Sequence, residues 1–192
     1  NTSAIQLPLI IIASFLVGPE VGLLMMAMKI MGIPMGLIGS AVAQVYVSEA
    51  PRYYENKQLL SYTQEILKKL LKIIIIPFLI LFIVSPYIFG FILGEAWSSI
   101  GYYITAMIPW YFMQILSSPV SMSLHIIGKQ KVALFLQIFG LIFRVLLLFL
   151  IAQFSLDLIV YYYIFSGFAF YLIYMIVIMI SLKMQEKENE LN

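Results

Sequence analysis

Two cations stand where membrane helices seldom tolerate them. Lys29 and Arg144 lie inside long apolar runs, 21–47 and 132–152. A charge inside a bilayer costs at least ~2.5–3.5 kcal/mol, so it is usually retained for a function. At ~1.5 Å per residue, Lys29 lies roughly 12 Å inside one end of its run. By the same rise, Arg144 lies roughly 18 Å from the opposite end of its own. In an apolar core of about 30 Å these are similar depths. No Asp or Glu falls within any of the chain's long apolar runs. The chemistry on offer is therefore the holding of an anion. Either the two cations meet a carboxylate from another segment, or they await an anionic group of a ligand. For that group Arg144 offers a bidentate fork and Lys29 a point charge.

Both cations sit on helical stripes of small and polar residues. Ala133, Gln137, Gly140 and Arg144 are spaced four, three and four apart, which places them on one face. Gly22, Lys29, Gly32, Gly36, Ser40 and Gln44 form a second stripe. Gln114, Ser117 and Ser121 form a third, and Tyr163, Gly167, Tyr171 and Tyr174 a fourth. Taken alone, the glycines are explained by close helix packing, as in Gly32-x-x-x-Gly36 and Gly90-x-x-x-Gly94. Stripes that also carry Lys29, Arg144 and glutamines point to a wet cavity. The expected binding residues are Lys29, Arg144, Gln137, Gln44 and Gln114.

Bond-making constellations are missing. There is no Cys and a single His, His125, in the loop 121–131 beside Gly128-Lys129-Gln130-Lys131. No carboxylate pair shares a helix face inside an apolar run, and no glycine-rich phosphate loop follows a strand. The expectation is a non-enzyme without metal or cofactor.

The elements that position these residues follow from composition. Of 192 residues, 63% are hydrophobic and only 10% charged, with mean hydropathy +1.03. A soluble domain carries about 25% charged residues, so a soluble globule is excluded. A disordered chain, which needs low hydrophobicity, is excluded too. The net charge of +2 comes with no basic cluster large enough for nucleic acid. Six continuous apolar runs predict an all-α integral membrane protein with spans at about 4–17, 21–47, 73–93, 99–120, 132–152 and 158–182. An outer-membrane barrel would instead show short alternating segments. Pro34, Pro77, Pro86 and Pro109 interrupt spans, as in the broken helices of transporters. Residues 59–71 read as an amphipathic helix lying at the inner surface, and 183–192 as a frayed polar tail. The first residue is Asn with no basic segment before it, which reads as a piece of a longer chain.

Orientation follows from Lys and Arg. Arg52, Lys57, Lys68, Lys69, Lys72, Lys129, Lys131, Lys183 and Lys187 all fall in one set of connections. The opposite connections, 18–20, 94–98 and 153–157, hold none of either type and one acid each: Glu20, Glu95 and Asp157. The first set is expected to be cytoplasmic, with both chain ends inside.

The order of these features resembles a known family. Val21-Gly22-Leu23-Leu24 through Ile33-Pro34 to Ala41-Val42-Ala43-Gln44 is similar to the opening helices of the second half of bacterial polysaccharide flippases. These carry O-antigen and exopolysaccharide repeat units and belong to the superfamily that includes MATE multidrug exporters. Gly90-Phe91-Ile92-Leu93-Gly94-Glu95-Ala96-Trp97 resembles that family's leucine-glycine-x-x-tryptophan outer turn. Ser118-Pro119 followed by Ile127-Gly128-Lys129-Gln130-Lys131 resembles its inner loop between the tenth and eleventh helices. The resemblance implies one six-helix half of a MATE-like two-bundle transporter in the bacterial cytoplasmic membrane. It implies a partner N-terminal half and an undecaprenyl-diphosphate-linked oligosaccharide as substrate, moved by alternating access for lipopolysaccharide or exopolysaccharide synthesis. Lys29 and Arg144 would be its cavity cations. The alternatives are a multidrug or lipid II exporter of the same superfamily and, from another class, an integral-membrane glycosyltransferase or polymerase. Exporters of cationic drugs favour intramembrane acids, and the apolar runs here hold none.

Overall fold

The computed structural model describes residues 2–15, 18–153 and 158–191. Asp157, Leu16, Val17 and Asn192 lie outside the described residues, so the end of the first expected span and one outer acid are not placed. Every regular element among the described residues is helical. In order they are α1 (Thr2–Phe15), α2 (Pro19–Pro34), a π turn (Met35–Gly39), α3 (Ser40–Glu55), α4 (Leu59–Leu93), α5 (Ile100–Val120), α6 (Ser123–Ile126), α7 (Gln130–Ala152) and α8 (Ile159–Leu191). A short 3-10 turn (Glu95–Trp97) joins α4 to α5.

Among the described residues, four stretches are long and apolar enough to cross a membrane: Pro19–Glu55, Leu59–Leu93, Gln130–Ala152 and Ile159–Asn189. Much of their apolar surface faces outward; Ile76, Ile80, Ile83 and Phe91 of α4 are exposed. An exposed apolar surface of this extent is covered by lipid or by further membrane helices. The chain is a multi-pass membrane protein.

The fourth expected span, 99–120, is α5, and it differs from the rest. Tyr, Trp, Gln, Ser and two prolines dilute its hydropathy. Its place is the centre of the bundle, packed by α4, α8, α2 and α3. Ile104, Met107, Trp110 and Ile115 are fully buried there. Gly101 makes the α4 crossing possible, since a Cβ at this position would run into the backbone of Ser85 and Pro86. A bond between Ser85 Oγ and Thr105 Oγ1 (2.6 Å) ties the same crossing.

Two sequence expectations are corrected. Residues 59–71 do not form a separate surface helix. They continue without a break into the span from Ile73, as one helix of 35 residues. No Gly or Pro interrupts 59–76, and the apolar side of this stretch packs on protein. Leu59, Leu60, Tyr62, Thr63 and Leu70 are buried. The Tyr62 ring stacks between Tyr53 (4.0 Å) and Tyr46 (5.7 Å), and the Tyr46 hydroxyl bonds Thr63 Oγ1 at 2.7 Å. Second, 183–191 is not frayed. It extends α8 back to the α3–α4 turn, where Lys57 Nζ donates to the Asn189 carbonyl at 2.9 Å. A cation at a helix C-terminus is favourably placed for the exposed carbonyls and the dipole.

Candidate functional site

The α7 stripe is buried. Ala133, Gly140 and Arg144 face inward, and Gln137 is half-buried. The Tyr163–Gly167–Tyr171–Tyr174 stripe of α8 lies opposite, so two stripes expected to line a cavity meet each other. A Cβ at Gly140 would strike the Phe170 ring, and one at Gly167 would strike Trp110 and the Arg144 guanidinium. Tyr174 is buried on the same side, near Gln137 and Ser121.

Arg144 occupies a corner between two rings. It is 2% exposed. Its guanidinium carbon lies 4.6 Å from the centre of Trp110 and 4.9 Å from that of Tyr163. Both distances are inside the ~6 Å range for attraction between a cation and a π face. The two rings are edge to face at 88°, so each presents a different side to the cation. Arg144 Nε donates to Ser166 Oγ over a long 3.4 Å. That hydroxyl spends its own proton on the Tyr163 carbonyl at 2.7 Å, which leaves its lone pairs toward the arginine.

The α2–α3 stripe is open. On α2 the buried face is Leu24, Ala27 and Met31. At 3.6 residues per turn Lys29 falls about half a turn away from it, and it is exposed. Gly36, Ser40 and Gln44 are exposed as well, and a Cβ at Gly22, Gly32 or Gly36 would meet nothing within 4 Å. The π turn keeps this arrangement in register. Pro34 lacks the N–H that an uninterrupted α ladder needs. A π turn holds one more residue than an α turn. That extra residue returns Gly39, Tyr46 and Ala50 to the side begun by Leu24, Ala27 and Met31, so both helices bury one continuous face. Ser40 Oγ donates to the Gly36 carbonyl inside the turn.

A chain of contacts links the neighbourhoods of the two cations. Tyr111 Oη donates to the Met28 carbonyl at 3.3 Å, and the Tyr111 ring packs on Trp110 at 5.3 Å, beneath Arg144. They do not share a cavity. Lys29 points out of the bundle and Arg144 is enclosed within it, because Trp110 and Tyr163 fill the space expected to be wet. Gln44 belongs to the Lys29 face. Gln137 belongs to the Arg144 side. Gln114 is half-buried on α5, its Oε1 buried with no hydrogen-bond partner. Trp110 and Ser166 were missed in the sequence. Trp110 extends the stripe of Gln114, Ser117 and Ser121 by one turn, at a spacing of four, and that was the signal for it.

The family model described as a polysaccharide biosynthesis protein matches residues 1–101, more than half of the chain. The chain belongs to that family. The part of this polysaccharide biosynthesis protein that matches contains the whole Lys29 face and the π turn, whereas Gln114, Gln137 and Arg144 lie beyond it. No curated protein and no solved structure matches the chain.

Proposed function

We propose that this polysaccharide biosynthesis protein carries a lipid-linked oligosaccharide, of the undecaprenyl-diphosphate type, across the bacterial cytoplasmic membrane. It works as a carrier by alternating access, with six spans and both ends of the described chain cytoplasmic. The observation that carries this reading is the open stripe of α2–α3. A lysine of an apolar run stands among glycines, Ser40 and Gln44, on a face that no described helix covers. Lys29 would attract the diphosphate, and Ser40 and Gln44 would meet sugar hydroxyls. Arg144 and Gln137 would add positive potential and rigidity from behind. A second helical bundle, an N-terminal half, would form the opposite wall.

The test is surface glycan in a flippase-null strain supplied with that half. Lys29→Ala and Gln44→Ala are expected to cut glycan strongly at normal membrane protein level. Wild-type glycan from the Lys29→Ala, Arg144→Ala double variant would sink the cationic-site reading.

A further inference from the structure

A second apolar feature lies away from the Lys29 face. Ile66, Lys69, Leu70 and Ile73 of α4 follow spacings of three, one and three, so they form one stripe. Ala41, Val42 and Val45 of α3 face them, and the seven residues line an open groove of about 270 Å³. Lys69 is the one polar side chain among them.

Three observations say what fits. First, the groove straddles the boundary between polar and apolar chain on both helices. Beyond Ile73, α4 is apolar and exposed at Ile75, Ile76 and Leu79; on the other side come Glu65 and Lys68. On α3, exposed Val45 and Val47 give way to Ser48, Glu49 and Arg52. Second, the charge at the polar end is mainly positive: Lys68, Lys69 and Lys72 are exposed, with Glu65 bonded to Lys69 at 2.6 Å. Basic clusters at this depth attract anionic lipid headgroups. Third, the volume is below the roughly 300–1,000 Å³ of pockets that enclose whole small molecules. It suits part of one hydrocarbon chain.

We propose that the α3–α4 groove is a binding site for an anionic phospholipid of the bilayer. One acyl chain lies along Val42, Val45, Leu70 and Ile73, and the phosphate accepts a hydrogen bond from Lys69, with Lys68 and Lys72 adding to its attraction. A free phosphate would leave the apolar groove empty, and a zwitterionic lipid would bring its own cation to the lysines. Glu65 competes with the phosphate for Lys69. The site does not depend on which leaflet the lysines face or on the transported substrate.

The experiment counts lipid bound to the purified full chain by native mass spectrometry, with palmitoyl-oleoyl phosphatidylglycerol and the matching phosphatidylcholine as probes. Phosphatidylglycerol is expected to bind more tightly. Lys69→Gln should weaken it by on the order of fivefold, the usual worth of one basic residue at a membrane surface. Val45→Trp fills the groove from an exposed position and should abolish the preference without lowering the melting temperature. Glu65→Gln should strengthen binding. Equal affinity for the two lipids overturns the proposal, as does wild-type binding by both Lys69→Gln and Val45→Trp. So does displacement by an equal concentration of glycerol phosphate, which would mark a plain anion site. Disulfide-linked dimers of Val45→Cys in native membranes would show a second copy in the groove and overturn it too.

Discussion

The α5–α7–α8 interior and the outer face of α2–α3 began as near twins. Each carries one cation of an apolar run on a stripe of small and polar residues, and Tyr111 links the two neighbourhoods through the Met28 carbonyl and the Trp110 ring. One became core and the other surface. The difference lies in what stands opposite. Arg144 faces α5 and α8, which bring Trp110 and Tyr163; Trp110 fills the space left by Gly167, and Phe170 the space left by Gly140. Lys29 sits half a turn from the buried side of α2, and no described helix approaches it. A stripe of small residues permits close approach, but the neighbour decides whether approach occurs.

Substitutions at the two cations should separate the regions most clearly. Arg144→Ala removes a buried side chain between two rings and is expected to cost about 3 kcal/mol of stability. The melting temperature of purified protein would show it as a large drop. Arg144→Lys should recover part of that loss, because it keeps the charge and gives up the planar stack. Lys29→Ala should leave the melting temperature unchanged while surface glycan falls. Equal melting temperatures for Arg144→Ala and Lys29→Ala would erase the contrast.

The glycines offer a second comparison. Gly167→Ala forces a methyl into Trp110 and the Arg144 guanidinium, and overpacking of this kind costs about 1–3 kcal/mol. Gly36→Ala meets open space and should melt as wild type does. A melting temperature lowered as much by Gly36→Ala as by Gly167→Ala would mean that the α2–α3 face is packed after all. The smallest expected effect is Tyr174→Phe, which removes a hydroxyl near Gln137 and Ser121. A hydroxyl contributes at most one hydrogen bond of about 0.5–1.5 kcal/mol there, so only a slight shift in melting is expected, and no loss of glycan. A complete loss of glycan from Tyr174→Phe at normal protein level would move the functional face from α2–α3 to α7–α8.

Helix positions were legible in the sequence because hydropathy runs are local. The apolar runs 99–120 and 132–152 match α5 and α7 to within two residues, whereas 73–93 and 158–182 are the apolar parts of longer helices, α4 and α8. The run 21–47 became two helices joined by a π turn, and Pro34 marked the place of the join. The stretch 59–71 and the tail were misjudged for one reason. Amphipathic and polar helices look alike whether they lie on a membrane surface or lean on another helix, and Tyr62 and Asn189 turned out to lean.

Of the candidate site, the sequence determined the residue types, their depth and their grouping into faces. Depth follows from rise per residue, and faces follow from 3.6 residues per turn. Those quantities are properties of each helix alone. Which faces close on each other depends on side-chain volumes presented by different helices at one level, and the sequence does not record that pairing. Only the tertiary structure could place Trp110 and Tyr163 around Arg144 and leave Lys29 uncovered. Two cations of equal depth thereby came to differ in access to anything outside the bundle.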